Sequence, residues 1–421
     1  MHSTPTRART RQTLARHTRF RQPHPLAQIG RAVGIGLAVV LVSVLSVGSF
    51  AAWDLSRNFS TGSVALPNDE LLPPAIGEYE GAFNLLLVGT DKCDPSWAGA
   101  FGERCSGADA EGERNDVTML VHVSEAPRRA TVVSFPRDMI VPIPACPRAD
   151  GTGKHSAMSA QPLNVTLMYG GLPCTVATVE EFTGMPIEFA ATIDWMGVIN
   201  LSNAVGGVEV CVEDPIRDRD SGLDIPAGTQ ELSGEQALAF LRTRYAIGDG
   251  SDLGRISNQQ QFMSSLVRKL SSDEVLTDPA ALFRLAYAAT DAVTPSQSLA
   301  SPTRMVQLAL TLKDIDFDDI VFVQYPTGYD TQNPNKVLPK RAAGDALFAA
   351  LAAGSAIDLT GGTSAGKSTV ELPAEGEAPA APETPAPSEP GVDASAAPDR
   401  VQLPSDITGQ TAGQRTCTVG R

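Results

Sequence analysis

Arginines and aspartates recur at the ends of short apolar runs, and their types suit one kind of chemistry. Asp91 closes NLLLVGTD, Arg114 and Asp116 stand just before the run at Val117, and Arg137 with Asp138 close SFPRD. Arg242 and Arg244 end a helical pattern, and Arg255 begins the next, with Gln259 one turn later on the same face. Guanidinium forks grip phosphate oxygens two at a time, and carboxylates hold a Mg²⁺ ion that bridges them. Five Arg with two or three Asp therefore suit a bound pyrophosphate. Phosphoryl transfer needs positioning and charge neutralisation more than a covalent nucleophile, so no Ser–His or Cys–His pair is required. The competing reading of any one of these residues is a surface ion pair, worth at most about 1 kcal/mol.

The elements that must position them read as a layered α/β domain. Phe83–Gly89, Val117–Val123 and Ala130–Phe135 are short runs rich in β-branched residues, the first barely alternating and so expected to be buried on both faces. Thr175–Thr183 has helical spacing and stops at Gly184, and Val208–Val212 alternates like a strand. Ser233 with Gln236 forms a capping box that opens a helix, followed by a second with Phe262, Met263, Leu266, Val267 and Leu270 as its apolar stripe. Helices near 279–290 and 302–312, a strand at Ile320–Gln324 and a helix at Ala342–Ala353 complete the pattern. In an open α/β sheet, strand ends and helix N-termini converge on one edge, where ligands bind.

Charge and cysteines set the surroundings. The 421 residues carry a formal charge of −15, which argues against a nucleic-acid binder. Residues 1–31 nevertheless hold seven Arg and no acid, and 32–52 form an uncharged span long enough to cross a bilayer as a helix. The positive-inside rule then makes 1–31 a cytoplasmic tail, 32–52 a transmembrane helix, 53–80 a juxtamembrane linker and 81–355 an external domain of a single-pass cell-membrane protein. A cleaved signal peptide is the rival reading. All six cysteines follow the span, as expected in an oxidising compartment; Cys93–Cys105, Cys146–Cys174 and Cys211–Cys417 are the favoured pairs. With no C-x-x-C and only His122 and His155 beyond the tail, zinc chemistry has little to work with.

Residues 356–421 are expected to be a disordered tail, because no aromatic follows Phe348 and the stretch Pro373–Pro404 contains eight prolines. Within it, Gly361–Ser368 (GGTSAGKS) matches the phosphate-loop pattern G-x-x-x-x-G-K-S. That chemistry needs a strand before and a helix after, and TVELP follows instead, so a flexible linker is expected.

From about 82 to 270 the chain resembles the LytR–CpsA–Psr family of cell-wall glycopolymer ligases. The carrying segments are NLLLVGTD (84–91), RNDV (114–117), SFPRD (134–138), YGG (169–171) with TVEEF (178–182), Asp194–Val212, LSGEQALAFLRTR (232–244) and DLGRISNQQ (252–260). The resemblance implies an α/β/α domain around a central mixed sheet, with a polyprenyl-pyrophosphate-linked glycan as ligand and its lipid in an apolar tunnel. It implies transfer of the glycan phosphate to a peptidoglycan hydroxyl, releasing polyprenyl phosphate. Carried over by position, Asp91 and Asp116 would hold Mg²⁺, and Arg114, Arg137, Arg242, Arg244, Arg255 and Gln259 the pyrophosphate. Asp91, Asp116, Arg137 and Arg244 form the implied catalytic set, and an aspartate is the candidate general base. Three positions depart from the pattern. Phe135 replaces Ile, Asn258 stands where a further Arg is common, and Pro162-Leu163-Asn164 replaces K-I-N, leaving a lysine contact open with Lys154 as a candidate substitute. The alternatives are a lipid pyrophosphatase using the same pocket and a non-catalytic cell-envelope regulator.

Overall fold

Pro25 opens the first helix and Gly62 follows its end, the usual asymmetry of helix punctuation. In the computed structural model, residues 25–67, 77–92, 105, 113–148, 152–272, 275, 277–373 and 400–421 are described. The chain divides into two units, residues 1–54 and 55–421. Helix α1 (Pro25–Thr61) contains a 23-residue stretch, Gln28–Phe50, long and apolar enough to cross a membrane. It extends through residues 53–61, expected as linker, because no Pro or Gly interrupts it there.

The second unit begins with β1 (Phe83–Thr90), β2 (Asn115–Val123) and β3 (Ala130–Phe135). Next come β4 (Ile140–Ile143), β5 (Met158–Pro162), α2 (Thr166–Thr183), β6 (Phe189–Ile193) and α3 (Trp195–Val205). Strands β7 (Val208–Val212), β8 (Ile216–Asp218), β9 (Leu223–Ile225) and β10 (Gly228–Leu232) lead into α4 (Gly234–Arg242) and α5 (Asp252–Leu270). Then follow α6 (Pro279–Ala292), β11 (Val293–Pro295), α7 (Pro302–Leu312), β12 (Ile320–Gln324), the hairpin β13 (Thr327–Tyr329) and β14 (Val337–Pro339), and α8 (Arg341–Ala352). Five short strands close the unit: β15 (Ala356–Asp358), β16 (Thr369–Glu371), β17 (Arg400–Gln402), β18 (Gly409–Thr411) and β19 (Thr416–Thr418).

The central sheet has the order β11-β6-β1-β2-β3-β12-β18. It is mixed: β1 runs parallel to β6 and β3 to β12, while β1–β2 and β2–β3 are antiparallel. Leu86, Val88, Leu120 and Val133 pack on one face against Val176 and Val179 of α2 and Leu347 and Leu351 of α8. Phe83, Met119, Val132 and Phe322 pack on the other against α5 and α7. The expected α/β/α layering is present.

The two faces are filled unequally. Leu86, Val88 and Leu120 are fully buried, whereas Leu85, Leu87, Val117 and Val121, pointing toward α5, remain half-buried. Uncovered apolar surface costs about 25 cal/mol per Å², so that face favours an apolar guest.

The expected disordered tail is corrected. β18 pairs with β12 at the sheet edge, and β19 pairs parallel with β7 and antiparallel with β16. Buried Gln261 of α5 donates from Nε2 to the carbonyls of Cys211 (2.8 Å) and Thr416 (2.7 Å), tying both strands to one helix. Composition averaged over the proline-rich stretch concealed ordered ends on either side; residues 374–399 themselves lie outside the described residues. Two expected disulfides, Cys146–Cys174 and Cys211–Cys417, are formed, and the third involves Cys93, also outside them.

The GGTSAGKS segment is not a flexible linker either. Ser368 Oγ donates to the Gly254 carbonyl (2.8 Å), Ala365 N donates to Ser257 Oγ (3.0 Å) and Asp249 N donates to the Gly366 carbonyl (2.9 Å). Strand β16 follows it, so the helix that a phosphate loop requires is missing and the segment serves as packing against the start of α5.

Candidate functional site

The sheet edge gathers residues far apart in sequence because β1 ends where β2 begins and β2 begins where β3 ends. Gly89 pairs with Val117 and Thr90 with Asn115, so Asp116 is the extra residue of a bulge, the local device that re-aims a side chain. Asp91, one residue past β1, accepts from Arg114 N at Oδ1 (2.8 Å). Arg137, two residues past β3, reaches Asp116 (2.7 Å), Asp252 (3.3 Å) and Asp138 (3.6 Å). Arg255 on the first turn of α5 is buried; its Nη2 lies 2.8 Å from Asp252 Oδ1 and donates to the Asp116 carbonyl at 3.1 Å.

Two cavities meet at this edge. The larger, about 420 Å³, is charged. Asp91, Arg114, Asp116, Arg137 and Arg242 of the expected set line it, joined by Asp138, Asn164, Trp195 and Lys336. The smaller, about 150 Å³, is walled by Leu87, Val117 and Met119 of the sheet, Val198 of α3, Leu238 and Leu241 of α4 and Met263 of α5. Arg255 and Gln259 line this second cavity. Asp116, Trp195 and Arg242 line both. A charged chamber thus opens onto an apolar slot.

The cations are in unequal states. Burial works to lower the Arg137 pKa, but Asp252 and Asp116 outweigh it and the net shift is upward. Burial lowers the pKa of Arg242 and of Arg255 despite nearby carboxylates. Arg242 makes no ion pair with any described residue; its guanidinium stacks 4.2 Å over the Trp195 ring. Arg137 is already neutralised by protein carboxylates, whereas Arg242 is a desolvated cation held in place by an aromatic face, ready for an anion.

Not every expected residue joins the site as the sequence suggested. Arg244 lines neither cavity: Nε donates to the Gly250 carbonyl (3.2 Å) and the guanidinium lies 4.9 Å from the Tyr245 ring centroid. Helix α4 ends at Arg242 and Thr243 is extended, so a side chain two residues on leaves the helix face that carries Arg242. Gln259 spends its amide on the Leu241 carbonyl (3.0 Å), holding the end of α4. Asn258 is fully buried, donates to the Phe240 carbonyl (2.8 Å) and accepts from Thr418 Oγ1 (2.6 Å), so this position is structural here. Lys154 is exposed in the turn that pairs with Pro147, and the cavity lysine is Lys336 instead.

Trp195, Lys336 and Asp252 were missed as site residues. Asp252 had a signal, its i,i+3 spacing from Arg255; Lys336, about 200 positions from Asp138, had none. Among the described residues no three metal-ligating side chains cluster. Asp91 and Asp116 are the pair that could share an octahedral cation, which typically takes one or two carboxylates with phosphate oxygens and water.

Comparison with known proteins follows the same line. Residues 57–347 match the LytR_cpsA_psr family. The cell wall biosynthesis protein LcpA of Corynebacterium glutamicum is 29% identical over 265 residues, 59% of this chain and 50% of that protein. The probable cell wall biosynthesis protein LcpB of the same organism is 31% identical over 328 residues, 78% of this chain and 72% of that protein. A polyisoprenyl-teichoic acid–peptidoglycan teichoic acid transferase, TagU of Enterococcus faecalis, is 30% identical over 242 residues, 57% of this chain and 71% of that protein. The match thus spans half the length of LcpA and about seven-tenths of the other two.

Proposed function

The chain belongs to the LytR–CpsA–Psr family, and from that premise we propose that it transfers a glycopolymer from a polyprenyl-pyrophosphate carrier to peptidoglycan during cell-wall assembly. The observation that carries this reading is the sharing of Asp116, Trp195 and Arg242 between a charged chamber and an apolar slot. A ligand with an anionic head and a hydrocarbon tail matches that junction, and few soluble metabolites do. The half-buried Leu87 and Val117 would contact the prenyl chain, and Arg242, which forms no ion pair among the described residues, the pyrophosphate.

In the reaction, an acceptor hydroxyl attacks the glycan-bearing phosphorus, the bond to the bridging oxygen breaks, and polyprenyl phosphate leaves. Arg242 opposes the charge that develops on the leaving phosphate, a role for a preset cation in a partly desolvated site. Arg137, braced by Asp116, Asp138 and Asp252, holds the carboxylates in register. A cavity aspartate takes the hydroxyl proton. Mg²⁺ held by Asp91 and Asp116 would supply further charge neutralisation at the phosphate oxygens. The Arg-rich start of the sequence, followed by the apolar stretch of α1, supports a cytoplasmic N-terminus and a catalytic unit on the outer side, where the lipid carrier would be met.

The test uses full-length protein in lipid nanodiscs with a radiolabelled lipid-linked glycan and purified peptidoglycan. Label should move into the insoluble wall fraction. Free glycan phosphate with no label on the wall would show a hydrolase instead.

A further inference from the structure

Lys336 enters the charged chamber from a part of the chain remote from every other residue there. It closes the loop between β13 and β14: Asp330 N donates to the Lys336 carbonyl (2.9 Å) and Lys336 N to that of Asn333 (2.9 Å). The next residue, Val337, donates its N–H to the Asp138 carbonyl (3.3 Å) and bridges to Met139. The hairpin is thereby fastened to the segment that follows Arg137. Its ammonium lies 2.6 Å from Asp138 Oδ1, yet the side chain remains 26% exposed. An ammonium has three donors, and among the described residues Asp138 takes one, so two remain for a ligand.

Position within the chamber gives those donors a meaning. Asp116, Trp195 and Arg242 border the apolar slot, whereas Asp138, Asn164 and Lys336 line the charged chamber alone. If the tail of a lipid pyrophosphate occupies the slot, its first phosphate meets Arg242. What reaches Lys336 is the part of the head group furthest from the tail. We propose that Lys336, with Asp138 and Asn164, forms the subsite that reads the second phosphate and the first sugar of the carrier-linked glycan. An ammonium, a carboxylate and an amide together offer the donors and acceptors that a sugar phosphate needs. Arg137 is less suited to this duty because its charge is already shared among three carboxylates, Asp116 at Nη1 and Asp138 and Asp252 near Nε.

This inference rests on the carrier-lipid reading above, and the experiment separates the two. Full-length protein in detergent is titrated with two probes, a polyprenyl monophosphate and a polyprenyl-pyrophosphoryl-N-acetylglucosamine of equal chain length. Lys336→Met should weaken binding of the sugar-bearing probe by about ten- to a hundredfold, the usual effect of losing a charge-assisted hydrogen bond. It should leave the monophosphate within about twofold, and Lys336→Arg should restore most of the lost affinity. Arg242→Met should weaken both probes. Equal loss of both probes in Lys336→Met would reduce Lys336 to a general charge effect and overturn the subsite. No loss in Lys336→Met while Arg242→Met loses both would also overturn it, with the carrier reading intact. Wild-type binding of both probes by Arg242→Met would sink the carrier reading and the subsite together. Thermal melting of each variant serves as the folding control.

Discussion

The Arg242 guanidinium lies 4.2 Å over the Trp195 ring, at the junction of the charged chamber and the apolar slot. A cation over an indole face gains roughly 0.5–2 kcal/mol, more as water is removed. Trp195→Ala should therefore weaken binding of a polyprenyl pyrophosphate by roughly three- to thirtyfold, and Trp195→Phe should keep most of the affinity. Isothermal titration checks both. Unchanged affinity in Trp195→Ala would mean the stack does not orient Arg242.

The contrast between Arg242 and Arg244 gives a second prediction. Arg242→Lys loses the fork and the stack, so transfer should fall by about ten- to a hundredfold. Arg244→Lys, outside both cavities, should cost less than about threefold. Initial rates of wall labelling decide it, and the reverse ranking would show that Arg244 turns into the chamber when substrate binds.

Asp252 bridges Arg137 and the buried Arg255. Asp252→Asn leaves both guanidinium groups without that carboxylate, and stranding a buried charge typically costs roughly 3–5 kcal/mol. Urea unfolding should show a loss of that order. A melting point equal to wild type would demote the network to a surface pairing.

His122 stands on β2 with Nδ1 2.9 Å from Asn84 Oδ1, and burial lowers its pKa while a backbone hydrogen bond opposes this. A histidine whose folded pKa lies below the unfolded value of 6.5 makes the unfolded chain the better proton binder. Stability should fall as pH drops from 6.5 toward the depressed value. Burial raises the pKa of Glu180 and Glu188, and their contribution runs the other way, lost as pH rises from 4.5. Comparing wild type with His122→Gln isolates the imidazole: the variant should unfold with a shallower pH dependence below 6.5. Identical slopes would contradict the assignment.

Truncation after residue 399 removes β18 and β19 and the carbonyl of Thr416 that Gln261 binds. It also opens the Cys211–Cys417 link, and losing a native disulfide typically costs about 2–5 kcal/mol. Marked destabilisation is expected in thermal melts. Lys367→Gly, by contrast, should be neutral or mildly stabilising, since Lys367 has φ of +54°, a region glycine occupies freely. Added ATP should give no thermal shift; a clear one would revive the phosphate-loop reading.

Much of the edge was legible because a sheet brings strand ends together. Once NLLLVGTD, RNDV and SFPRD were read as strands with charged ends, Asp91, Asp116 and Arg137 had to be neighbours. Arg242 and Arg255 followed from a helix end beside a helix start. Lys336 was not legible, since its approach depends on a hairpin docking across about 200 residues. Trp195 carries no charge to mark it and lies inside Asp194–Val212, where it was read only as part of the resemblance. The strands Gly409–Thr411 and Thr416–Thr418 have no apolar period; their order comes from edges that β12 and β7 offer, which no local window contains.

The pairing of β7 with β19 also sets the order in which this molecule can be made. A ribosome delivers Cys211 some 206 residues before Cys417. Until then β7 lacks one neighbour, Gln261 lacks the Thr416 carbonyl, and Asn258, which holds the end of α4, lacks Thr418. The Arg242 and Arg255 segments therefore reach their final support only after synthesis has passed residue 418. A stalled or clipped chain would carry every arginine of the site and still lack the brace behind Arg242 and Arg255, so assembly of the site itself depends on synthesis having run to that point.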